Sequence, residues 1–193
     1  MNQINKQKLI SISKIIRTIL PIFFIVVILM AIIPWIFPTT EIGKFLLSLQ
    51  GFSAVINATH KNINEVMLDM TPLSQILGFI GSVITLFPLF IGTLIMLKVS
   101  KNYSNGKVFI LENAKAYRLL GIISLIDAIL LQPLYQMFFY ACVTINNPVG
   151  HRVIAFAYGV ASLTAIFFAI VLIVIGHVMT LGQKISEEQD LTI

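Results

Sequence analysis

Long runs without an acidic or basic side chain dominate this sequence, and four of them reach the length of a bilayer crossing. They cover residues 18–40, 70–97, 119–145 and 153–183, with Asp127 inside the third and His177 inside the fourth. A transmembrane helix needs about 20 predominantly apolar residues, and soluble core helices are seldom apolar on every face. The pattern predicts spanning helices over 15–37, 71–99, 117–145 and 153–185, joined by an outer loop (38–70), an inner loop (100–116) and the turn "NNPVGHR", and ending in a tail (186–193).

The outer loop carries a pattern of its own. Ile42, Phe45, Leu46 and Leu49 recur at helical spacing, as do Ile63, Val66, Met67 and Met70, which predicts two short amphipathic helices lying at the membrane surface. Thr71 followed by Pro72 is a helix start, with threonine as the cap and proline in the first turn. Ser74, Gly78 and Ser82 are spaced by fours, and so are Ala157, Ala161, Ala165 and Ala169. Small residues at that interval let helix backbones approach closely in lipid. Pro88 and Pro133 should kink their helices and free carbonyls that neighbours must satisfy.

Composition and charge sharpen this into an all-α, polytopic membrane protein. Hydrophobic residues make up 58% of the chain and charged ones 11%, against about a quarter charged in soluble domains. The first run is too long for a cleaved leader, and "AIIPWIF" lacks a small-x-small cleavage site, so a retained helix is expected, with Trp35 as an interfacial anchor. Ten Lys and Arg fall in the N-terminal segment, the second connection and the tail, against three (Lys44, Lys61, Arg152) on the opposite side. The positive-inside rule then places both termini in the cytoplasm. The net charge of +5 suits an anionic inner leaflet, and direct nucleic-acid binding is not needed to explain it. With Cys142 the lone cysteine, no disulfide or Cys-based metal site forms within one chain.

Candidate chemistry inside the membrane centres on Asp127. It lies about 13 Å past the last base, Arg118, close to mid-bilayer. Ser124, Gln132 and Tyr135 share its side of an ideal helix. Two readings stay open: a carboxyl hydrogen-bonded across helices as packing glue, or a proton-coupled transport site. His177 reads as a headgroup or capping contact, and Tyr140 and Tyr158 as belt residues. The chain contains no Gly-rich phosphate loop, His-Glu-x-x-His or Gly-x-Ser-x-Gly motif. No catalytic, cofactor-binding or metal-ligating residue is assigned, and no enzyme or cofactor is expected.

The inner loop and the tail carry the remaining signals. "NGKVFILENAKAYRLLG" opens on an Asn105-Gly106 turn and runs into a helix expected near Glu112. The tail "GQKISEEQDLTI" places Glu187, Glu188 and Asp190 at a helix C-terminus, where anions oppose the dipole by about 0.3–1 kcal/mol each. These segments resemble a widespread bacterial family of unknown function, the YoaS-like four-helix membrane proteins. The match rests on Gly106, Val108, Phe109, Glu112, Asn113, Gly121, Gly182, Glu188, Asp190, Leu191 and Thr192, while Ile110 stands where the family usually has threonine. The resemblance implies a multi-pass protein of the bacterial cytoplasmic membrane. It also implies a small helix-turn-helix regulator as a partner, but no activity. The leading expectation is a non-enzymatic membrane regulator or anchor. Its inner loop and tail would bind a small cytoplasmic protein, with the tail docked on Lys101, Lys107 and Lys115. A small transporter or permease subunit built on Asp127, Ser124 and Gln132 is the alternative. Homo-oligomerisation stays open.

Overall fold

The computed structural model describes residues 3–156, 158 and 160–190, and every regular element among them is helical. α1 spans Gln3–Ile36, α2 Glu41–Leu49, α3 Phe52–Ala58, α4 Ile63–Leu68 and α5 Pro72–Ser104. α6 (Leu111–Ile126) continues through a π-turn, Asp127–Leu131, into α7 (Gln132–Thr144), and α8 covers Val160–Asp190. Four stretches are long and apolar enough to cross a membrane: Ile10–Ile36, Pro72–Ser104, Leu111–Thr144 and Ser162–Ile185. Ile19, Phe23, Leu94, Leu130, Phe167 and Val178 are exposed on them, as lipid contact requires. The chain is an all-α, multi-pass membrane protein.

Several boundaries differ from those drawn on apolar runs alone. α1 reaches back to Gln3, because the Lys- and Gln-rich segment before the run consists of good helix formers. α5 extends to Ser104 and α6 begins at Leu111, which shortens the 100–116 connection to six residues. The last helix starts at Val160 and not at 153. Thr144 explains why: its Oγ1 accepts the Val153 N–H at 3.0 Å and lies 3.0 Å from the Val153 carbonyl. Arg152 Nε is likewise drawn to the Asn147 carbonyl. The 38–70 loop holds three short helices, not two, and the additional one is α3. The inward face of α2 is Gly43, Leu46 and Leu47, so Ile42, Phe45 and Leu49 are left exposed.

The chain divides into two compact units. The first comprises Met1–Phe24, Pro88–Ala128 and Val160–Ile193, the second Ile25–Phe87 and Ile129–Gly159. In the first unit α6 and α8 meet through small residues. A β-carbon on Gly121 would lie 2.6 Å from the Ala169 carbonyl oxygen, and one on Gly176 would lie 2.8 Å from that of Ala114. Of the alanine series, Ala169 is fully buried, while Ala157 lies outside the described residues. Ser100 ties α5 to α1 by donating to the Ser13 carbonyl at 2.6 Å.

The second unit has the true apolar core: Trp35, Leu47, Phe52, Val55, Ile56, Val66, Met67, Phe139, Cys142 and Val143. Trp35 is only 6% exposed, so it is a core residue and not an interfacial anchor. Its ring meets Phe52 edge-on at 5.8 Å and stacks on Phe139 at 6.3 Å. Its Nε1–H donates to Ser82 at 2.8 Å, Ser82 donates to Gln50 at 2.5 Å, and Gln50 donates to the Met30 carbonyl at 3.2 Å. The Ser74, Gly78, Ser82 stripe thus makes room for an indole: a β-carbon on Gly78 would collide with the Trp35 ring.

Candidate functional site

The connection between α5 and α6 is short and tightly ordered. α5 ends in a Schellman turn: the Lys107 N–H donates to the Asn102 carbonyl at 3.0 Å and the Gly106 N–H to that of Tyr103 at 2.9 Å. Gly106 sits at φ 73°, a left-handed conformation that glycine adopts without steric penalty. Asn113, in the first turn of α6, is fully buried beneath the loop. Its Nδ2 donates to the carbonyls of Lys107 and Val108, both at 2.9 Å, and its Oδ1 accepts from Asn102 at 2.7 Å. Every donor of that amide is used. Beside it Tyr103 and Tyr117 share a hydroxyl contact at 3.2 Å.

This framework presents a defined set of groups. Val108 is half-buried, whereas Phe109, Glu112, Lys101, Lys107 and Lys115 are exposed. Phe109 lies over Gly182 of α8, where a β-carbon would come 3.1 Å from its ring. Gly106, Val108, Phe109 and Glu112 therefore form one surface that reaches α8, with Asn113 buried beneath it as support. The tail begins as a continuation of α8. α8 stays helical to Asp190, and Glu187 accepts from Gln183, one turn back, at 2.7 Å. Glu188 is exposed on that helix. Leu191, Thr192 and Ile193 lie outside the described residues, as does the side chain of Asp190.

Asp127 opens the π-turn. Its backbone N–H is shared between the Ile123 and Ser124 carbonyls, and its half-buried carboxyl has no hydrogen-bond or ion-pair partner among the described residues. Ser124 is half-buried in the same unit. Gln132, which opens α7, belongs to the second unit. The carbonyl freed by Pro133 is that of Ile129, and the Tyr158 hydroxyl donates to it at 2.8 Å. Tyr158 therefore completes a helix that proline interrupts, a role that a belt residue would not have. His177 sits exposed, with Nδ1 3.1 Å from the Ile173 carbonyl.

Sequence reasoning passed over a polar cluster in the second unit. Lys61 Nζ donates to the Val143 carbonyl at 3.0 Å and to Asn147 Oδ1 at 2.7 Å. Asn146 Nδ2 donates to the Asp69 carbonyl at 2.6 Å. The loop pattern "HKN" offered no signal for it, because the partners lie more than 70 residues away. Among the described residues no group of three or more His, Cys, Asp or Glu side chains converges as a metal site would require.

The family described as Protein of unknown function (DUF2975) matches residues 15–193. No curated protein and no solved structure matches the chain.

Proposed function

The chain belongs to the DUF2975 family, and from that premise we propose that it is a non-enzymatic membrane regulator or anchor. Its inner loop and the end of α8 hold a small cytoplasmic protein, of which a helix-turn-helix regulator is one form. The observation that carries this reading is the buried Asn113 amide. It orders the loop and leaves Phe109 exposed among Lys101, Lys107 and Lys115. A rigid loop with one aromatic anchor and a rim of cations loses little entropy on docking. The proposed setting is the bacterial cytoplasmic membrane, as the family resemblance implies, with both termini inside, a reading supported by the distribution of Lys and Arg.

Capture from mild detergent tests it. The wild-type protein should bring down a soluble partner that Phe109→Ala together with Lys107→Glu releases, and a reporter fused after Gly106 should report the cytoplasm. Equal recovery by the double variant, or an external reporter signal, would overturn the reading.

A small transporter or permease subunit is the second reading, favoured by one observation. Asp127 begins a π-turn, and such turns are frequent at functional sites. Here Asp127→Asn should abolish proton-linked flux in liposomes while leaving expression normal. On the regulator reading the same change is silent.

A further inference from the structure

The second unit carries a cleft of about 530 Å3 lined by Lys61, Asp69, Thr71, Asn146, Asn147 and Arg152, among others. That volume lies within the range of small-ligand pockets, about 300–1,000 Å3. Its asparagines are committed to structure. Asn146 is spent on the Asp69 carbonyl, Ser74 and Thr71, and Asn147 on the His151 carbonyl and Lys61.

The charged groups are not committed in this way. Two of the three Lys61 donors are used, on the Val143 carbonyl and Asn147. Arg152 uses Nε on the Asn147 carbonyl, which leaves its terminal nitrogens available. Among the described residues the ion pair formed is Lys44–Glu41, so neither cation of the cleft is neutralised by a carboxylate and Asp69 is not neutralised by a cation. The backbone leading into the cleft is held at a cost. His60 closes α3 at φ 53°, a left-handed conformation disfavoured by roughly 1–2 kcal/mol for residues with a β-carbon. This turn, with the Lys61 N–H donating to the Ile56 carbonyl at 3.2 Å, delivers Lys61 to its place.

We propose that this cleft binds a small zwitterion bearing a phosphate and a primary ammonium, as in phosphoethanolamine. Lys61 and Arg152 take the phosphate and Asp69 takes the ammonium. Such a ligand pairs all three charges, whereas a simple anion meets Asp69 as a repulsive neighbour. The same chemistry is offered by a free phosphoethanolamine ester and by a phosphatidylethanolamine headgroup.

The test uses the full chain in detergent, with free phosphoethanolamine and inorganic phosphate as probes and thermal stability as the readout. Phosphoethanolamine should stabilise the wild type at lower concentration than phosphate does. Arg152→Gln should weaken both at least tenfold. Asp69→Asn should weaken phosphoethanolamine and strengthen phosphate, a reversal that a purely structural role for Asp69 cannot produce. Lys61→Gln is the less safe variant, since Lys61 also caps α7.

In nanodiscs, stabilisation by phosphatidylethanolamine over phosphatidylglycerol, erased by Asp69→Asn, identifies the headgroup as the source. Stabilisation by the soluble ester alone identifies the free ligand. If neither form stabilises the protein, or if Arg152→Gln and Asp69→Asn leave both probes unchanged, the proposal is overturned.

Discussion

Trp35→Ala should destabilise the second unit by about 3–5 kcal/mol, the usual cost of truncating a well-packed buried aromatic to alanine. The indole is shared by α1, α3, α5 and α7: it stacks on Phe139, meets Phe52 edge-on, covers Gly78 and donates to Ser82. Trp35→Phe separates packing from hydrogen bonding. It keeps a ring in the site but leaves Ser82 without the indole donor, at a cost of about 1–3 kcal/mol. Unfolding in detergent should rank wild type above Trp35→Phe and Trp35→Ala last. Were Trp35 an interfacial anchor, both variants would unfold like the wild type and shift only insertion depth.

The second large effect is expected at Asn113. Replacing it with leucine keeps the branched heavy-atom skeleton and removes three hydrogen bonds, leaving the carbonyls of Lys107 and Val108 and the Asn102 amide to find water. Each unsatisfied group costs about 1–3 kcal/mol when it stays buried. The loss should be local, because the four apolar stretches do not depend on it. Protease should cut between Asn105 and Ile110 much faster in Asn113→Leu than in the wild type. Asn113→Asp should be at least as severe, since a carboxylate would face two carbonyl oxygens. Capture of the proposed cytoplasmic partner should fall in parallel. Unchanged cleavage in both variants would mean that the loop is held by something other than this amide.

How far the architecture was legible in the sequence differs from element to element. The Thr71-Pro72 start was readable, and the structure has Thr71 Oγ1 accepting the Ser74 N–H at 3.3 Å. The Gly106 turn was readable too, because only a local backbone demand is involved. α3 was missed although Phe52, Val55 and Ile56 have helical spacing, since a helix of seven residues, Phe52–Ala58, gives too short a periodic signal. The capping box of α4, Asn62 with Glu65, was legible and overlooked. For the surface between α5 and α6, the sequence marked Phe109, Glu112 and Asn113. It could not tell that Asn113 is buried support while Phe109 and Glu112 are exposed.

What the sequence determined by itself is the membrane-spanning, all-helical plan. A bilayer of fixed thickness demands apolar runs of fixed length, and run length is a one-dimensional property that reads directly from the order of residues. What only the tertiary structure decided is the identity of polar partners. Trp35 and Ser82 are 47 residues apart, Lys61 and Asn147 are 86 apart, and Tyr158 and Ile129 are 29 apart. Periodicity carries no information about which distant donor meets which acceptor. Inside an apolar solvent every such group must nonetheless find one. The fold resolves that demand by bringing helices together, and so it turned an expected anchor into a core residue, a belt tyrosine into a backbone cap and a loop lysine that the sequence marked only by its charge into the edge of a cleft.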